Sequence, residues 1–159
     1  MLEILAYMVA RHYFDDYFRI ISLFLFIFCL SSFSTYSYAN DSIEAVIHPS
    51  VELKNYSRNS LRAVFGMRLK TWPNGLPVRV FVLPDDAALH NIFTKEKLNI
   101  FPYQLRAGWD KLIFSGTGQA PFLVKTEEEM RERIASTPGA IGYLKRVNIN
   151  DSIHVLNIE

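Results

Sequence analysis

This chain has very little cysteine. Its one cysteine, Cys29, stands near the start of a 159-residue sequence. A lone thiol excludes an intramolecular disulfide framework. Nor is there a strong charge of either sign: 17 Lys and Arg against 16 Asp and Glu leave +1. That balance is too even to imply nucleic acid or a strongly charged substrate, and no nucleic-acid partner is expected. The apolar run Ile20–Leu30, broken only by Ser22, falls short of the roughly 20 residues that cross a bilayer. The 4 histidines are scattered, and His48 has no second His, Cys or carboxylate at metal-ligand spacing. Neither the G-x-x-x-x-G-K-[ST] loop nor the G-x-S-x-G elbow occurs. No catalytic residue, metal or cofactor is therefore expected, and an enzyme is not.

The first 39 residues have the pattern of a secretion signal. Arg11, His12 and Arg19 form a positive region, Ile20–Leu30 an apolar one, and Ser37-Tyr38-Ala39 a small-x-small cleavage site. The expectation is residues 1–39 as signal, cleaved after Ala39, and residues 40–159 as one periplasmic domain free of the membrane. Cys29 would be removed with the signal, leaving no thiol chemistry.

The remaining chain alternates strand and helix patterns. Ile43–His48 reads as a buried strand ended by Pro49, with His48 in a strand-end role. Ser57 or Asn59 caps a helix through Leu61, Val64 and Phe65, stopped at Gly66. Thr71-Trp72-Pro73-Asn74-Gly75 is a turn. Trp72 either stacks on a ligand or, as read here, covers a core edge with its N–H on a backbone carbonyl. Arg62, Arg68 and Lys70 form a solvated face or a basic rim for an anion. Pro77–Leu83 is apolar on both sides except at Arg79, predicting a central strand. Pro84-Asp85-Asp86 opens a helix carrying Leu89, Ile92 and Phe93. Pro102 starts another through Leu105, Trp109 and Leu112. Thr126 with Glu129 caps a third through Met130 and Ile134, which Pro138-Gly139 ends. Ala140–Tyr143 suits a short buried strand, and Ser152–Ile158 a final strand with one wet face. The order β-α-β-α-α-(Gly turn)-α-β-β predicts an α/β domain with helices on the sheet.

One element is suited to a small ligand. Ser115-Gly116-Thr117-Gly118 offers two hydroxyls and up to four backbone N–H groups to an oxyanion. The alternative is a tight turn whose hydroxyls satisfy their own backbone. The residues alone leave both open.

"FSGTGQAP" (114–121), "STPGAIGYL" (136–144) and "LRAVFGMRLKTWPNG" (61–75) together resemble a family of small periplasmic proteins. These are the phosphate ABC transporter substrate-binding proteins with a type II periplasmic binding protein-like domain. The resemblance spans Ile43 to about Leu144. It implies a single lobe of that fold, a mixed sheet with helices on both faces, and a small oxyanion such as phosphate as ligand. In full-length phosphate-binding members an Arg-x-Asp-x-Ser-Gly-Thr run follows the central strand and opens a helix. Here Leu83-Pro84-Asp85-Asp86-Ala87-Ala88 stands there, without the Arg and without Ser-Gly-Thr. That departure sets two expectations side by side: weak oxyanion binding at Ser115–Gly118, preferred to the Pro84-Asp85-Asp86 helix start whose two aspartates would repel an anion, or a lobe that contacts an envelope or transporter protein and transports nothing.

Overall fold

The computed structural model describes residues 42–159. The expected secretion signal, its cleavage point and Cys29 lie outside the described residues. The elements are β1 (Ile43–Ile47), α1 (Arg58–Phe65), β2 (Arg79–Val82), α2 (Ala88–Glu96), α3 (Pro102–Phe114), β3 (Phe122–Leu123), α4 (Glu127–Ser136), β4 (Ala140–Lys145) and β5 (His154–Val155). The sheet order is β3-β2-β4-β1-β5. β2 runs parallel to β3 and β4, while β1 is antiparallel to β4 and β5. The sheet is thus mixed, as expected.

Helix starts follow their residue chemistry. Ser57 Oγ accepts the N–H of Ser60 at 3.1 Å and opens α1. Thr126 Oγ1 accepts the N–H of Glu129 at 3.1 Å, and the Glu129 carboxylate accepts the N–H of Lys125 at 2.8 Å, opening α4. Pro102 occupies the first turn of α3, and Gln104 Oε1 accepts the Phe101 N–H at 2.9 Å. Gly66 caps α1, but the left-handed residue is the next one, Met67, at φ 58.

Alternation along β4 shows how the layers are built. Tyr143 stacks on Phe93 of α2 with ring centres 4.2 Å apart and lies 6.0 Å from Phe65 of α1. Its neighbour Gly142 points the opposite way. A Cβ there would meet Ile134 Cδ1 at 2.7 Å and Met130 Sδ at 2.9 Å, both on α4. Helices therefore cover both faces: α1 and α2 one, α4 the other. β4 is buried along its length except for Lys145. Trp109 of α3 is fully buried and donates its indole N–H to Phe65 O at 2.8 Å, joining α3 to the end of α1.

Four expectations need correction. β4, not β2, holds the middle of the sheet; β2 is next to the edge. Any strand with neighbours on both sides and covered faces shows the same apolar pattern. The pair Asp85-Asp86 does not open α2, which starts at Ala88 with no side-chain cap. Asp85 is instead taken by Arg106 of α3, through Nε–Oδ2 at 2.7 Å and Nη2–Oδ1 at 2.8 Å. A two-point ion pair is a stronger claim on a carboxylate than a cap. β3 follows the glycine turn where no strand was expected. The last strand shrinks to His154–Val155, with an isolated bridge between Tyr56 and Ile158 beyond it.

The "WPNG" and "STPGA" pieces meet. Trp72 is buried and donates its indole N–H to Gly139 O at 2.9 Å. The same oxygen accepts the Arg79 N–H at 3.0 Å, and Gly139 N–H reaches Ser50 Oγ at 3.1 Å. Gly139 has φ +77, and a Cβ on it would lie 2.2 Å from Pro77 O. Gly75 has φ +85 with open space around it. Gly139→Ala is therefore expected to cost at least ~2 kcal/mol, because left-handed strain and a backbone clash add. Gly75→Ala should cost only ~1–2 kcal/mol from the strain alone. Urea midpoints of the two variants check the order; equal losses would contradict it.

Candidate functional site

The turn Ser115–Gly118 caps the C-terminal end of α3. Its amides face inward. Ser115 N–H donates to Lys111 O at 3.1 Å, Gly116 N–H to Ile113 O at 3.0 Å, and Thr117 and Gly118 N–H both to Leu112 O at 3.1 Å. All four amides are engaged with carbonyls of the helix they terminate, in the manner of a C-terminal cap. The amide part of the sequence expectation is corrected by this: no outward nest of N–H groups forms.

The hydroxyls are placed differently. Ser115, Gly116 and Thr117 are exposed. Ser115 Oγ and Thr117 Oγ1 lie 2.7 Å apart, and Ser115 Oγ also donates toward Leu112 O at 3.2 Å. They line an open depression of about 540 Å³ together with Arg62, Arg68, Gln104 and Lys111. Arg62 is occupied, bonding Leu98 O, Asn99 O and Asn59 Oδ1. Lys70 reaches across the far side of the turn to Thr117 O at 2.8 Å. Arg68 and Lys111 make no ion pair among the described residues. The shelf therefore offers two hydroxyls and two cations. It sits at the negative end of the α3 dipole, which opposes an anion.

Asp85 stands just ahead of α2. Its carboxyl is held below the ordinary carboxylate range, chiefly by the Arg106 hydrogen bonds. Arg106 also lies over the Trp109 ring, 5.0 Å from its centre. The guanidinium is thus held between the Asp85 carboxylate and the Trp109 ring.

Beneath Asp85 lies a buried polar chain that the sequence did not disclose. Leu83 N–H donates to Tyr143 Oη at 2.9 Å, and Tyr143 Oη lies 2.6 Å from His90 Nδ1. The phenol has one proton to give, and donating it to His90 Nδ1 is the arrangement that leaves fewest buried polar groups without a partner. His90 is then neutral and carries its proton on Nε2, which is buried without a partner. Burial pushes the His90 pKa down and that of Tyr143 well up. The one legible sign was spacing: His90 precedes the core residue Phe93 by three positions, on the same helix face.

Among the described residues no hydrogen bond links Ser115 to a histidine: His48 bonds Ser50 and His90 bonds Tyr143. Among the described residues no group of three or more His, Cys, Asp or Glu is placed to hold a metal ion. No helix among them is long and apolar enough to cross a membrane.

The fold has solved counterparts. An ABC-type phosphate transport receptor from Vibrio cholerae aligns at TM-score 0.58 and 10% identity, over 74% of this chain and 46% of that one. A phosphate ABC transporter substrate-binding protein with bound phosphate from Clostridium perfringens aligns at 0.60 and 13%, over 74% and 45%. PstS from Borrelia burgdorferi aligns at 0.57 and 14%, over 75% and 47%. This chain spans less than half the length of these structures. No family model matches it, and no curated protein does. The architecture is that of one lobe of the substrate-binding-protein fold, as the sequence resemblance implied.

The buried histidine makes stability pH-dependent. Its folded pKa is below the ordinary value of about 6.5, so the unfolded chain binds the proton more readily. The His90 contribution is fully present above about pH 6.5 and is lost as pH falls below it. Urea midpoints measured at about pH 7.5, 6.5 and 5.5 should fall with pH. In His90→Gln, which retains an acceptor for Tyr143, that slope should flatten. An equal slope in both proteins would show that His90 does not carry it.

Proposed function

We propose that the chain is an extracytoplasmic, non-catalytic receptor lobe, exported by residues 1–39, that holds a small oxyanion weakly at Ser115–Gly118. The supporting observation is the pair of hydroxyls 2.7 Å apart beside Arg68 and Lys111. Both hydroxyl protons are engaged within the turn, Ser115 Oγ toward Leu112 O and Thr117 Oγ1 toward Ser115 Oγ; an anion drawn by Arg68 and Lys111 competes for them as the exposed hydroxyls rotate outward. Gly116 and Gly118 act here by shaping the turn, since their amides are already engaged. Gly116, at φ +68, permits the reversal that brings the two hydroxyls to one side. Three things keep the affinity low: inward amides, the opposing dipole of α3, and an open depression that leaves the anion in contact with water. Phosphate is the favoured anion, because the solved structures that align with this chain include a phosphate transport receptor and a protein with bound phosphate.

The start of α2 is the weaker place for an anion. Asp85 is ionised and Arg106 is already committed to it. A second negative charge brought there meets the repulsion of Asp85 and Asp110.

Titration of the chain with phosphate and with sulfate, followed by amide and side-chain NMR shifts, is the measurement. Saturable shifts at Ser115 and Thr117 are expected, with a dissociation constant on the order of 1 mM. Ser115→Ala with Thr117→Val, or Lys111→Glu alone, should weaken binding roughly tenfold, since each removes charged-group hydrogen bonds of about 1.5–3 kcal/mol. Absence of saturation at ~10 mM, a level that still reports affinities of that order, would rule the reading out.

A further inference from the structure

The sheet has two edges, and β3 forms one of them. β3 is short and carries two large apolar side chains in solvent: Phe122 is 46% exposed and Leu123 61%. It pairs parallel to β2 through Phe81↔Phe122 and Val82↔Leu123, and Val124 N–H donates to Val82 O at 2.9 Å. In such a ladder the residues flanking Leu123 bond to β2. Leu123 therefore turns its own N–H and C=O to the open side.

Beside this edge lies an open depression of about 600 Å³. Leu76, Phe81, Phe122 and Leu123 supply its apolar surface, and Arg79 and Arg133 its charge. Arg79 lies 6.0 Å from the centre of the Phe122 ring. No Asp or Glu lines the depression, and neither arginine makes an ion pair among the described residues. The surface thus combines unpaired strand groups, apolar side chains and positive charge without a local counter-charge.

We propose that the β3 edge receives an extended, acidic–apolar peptide segment of a partner protein. The segment lies as an added strand beside Phe122–Leu123. Every second side chain of the segment faces the depression, apolar ones resting on Leu76 and Phe122 and carboxylates meeting Arg79 and Arg133. Pro121 before β3 and Lys125 after Val124 confine the pairing to a short stretch, so the side-chain contacts carry most of the selectivity. A second copy of this chain fits less well, because edge-to-edge pairing would bring two Arg79–Arg133 pairs together. The inference uses none of the shelf residues and stands apart from the oxyanion reading.

The test uses the full chain and a fluorescent peptide of the repeat Val-Ser-Glu-Ser, which sets valine and glutamate on one face of an extended strand. Saturable anisotropy is expected, weakening as salt rises. Arg79→Ser with Arg133→Ser should weaken it at least ~10-fold, as should replacing the peptide glutamates with lysines, since each removes the attraction between opposite charges. Both arginines are exposed, and an unchanged urea midpoint confirms that the variant folds. A peptide N-methylated at alternate residues cannot pair as a strand and should also lose at least ~10-fold. No saturable binding would overturn the proposal, as would equal binding by the N-methylated or lysine peptide, or indifference to the arginine substitutions. A concentration-dependent dimer that Leu123→Lys abolishes would overturn it in favour of self-association.

Discussion

The buried hydroxyl of Tyr143 is the interaction on which the rest depends. It reaches from the middle strand to the amide at the end of β2 and to the imidazole on α2. It thereby fixes where β2 stops and how α2 departs from it. Its ring meanwhile fills the space between Phe93 and Phe65. Removing such a group strands two buried polar partners at once, which costs more than the bonds themselves contribute. The other face of β4 has the opposite requirement. Gly142 must stay small so that Met130 and Ile134 can approach. One dipeptide, Gly142-Tyr143, therefore sets the spacing of both layers.

This geometry also separates the fold from any ligand chemistry. Asp85, Arg106, His90 and Tyr143 surround the start of α2, where a helix of this length presents unbonded N–H groups. That place is filled from within by an ion pair above and a neutral hydrogen-bonded chain below. The hydroxyl shelf at the end of α3 and the apolar edge at β3 remain open.

Much of the architecture was legible in the sequence, because local rules and tertiary demands agree there. Ser57 and Thr126 cap as their spacing with Ser60 and Glu129 requires. Pro102 starts α3, and Trp72 bonds a backbone carbonyl. Where they disagree, the sequence misled. Asp85 looks like a helix opener, but Arg106, 21 residues later, claims it. No local pattern carries that information. β3 was missed because two residues give no period. The shelf was half legible: glycine and hydroxyl content showed a turn with polar contacts. Whether its amides point outward depended on the α3 carbonyls that precede it, and these took all four. His90 and Tyr143, 53 residues apart, meet only in the folded chain.

The junction at Gly139 bears on how the chain reaches this fold. It ties together groups 67 and 89 positions apart. Bonds of such separation require large loops to close before they contribute anything. The β1–β4 pairing closes loops at least as long, from Ile47↔Ile141 to Ile43↔Lys145, and sets Ser50 beside the start of β4. The bonds at Gly139 therefore belong with that pairing. The turn at Trp72 is, in that sense, a clasp on a closure that the paired strands make.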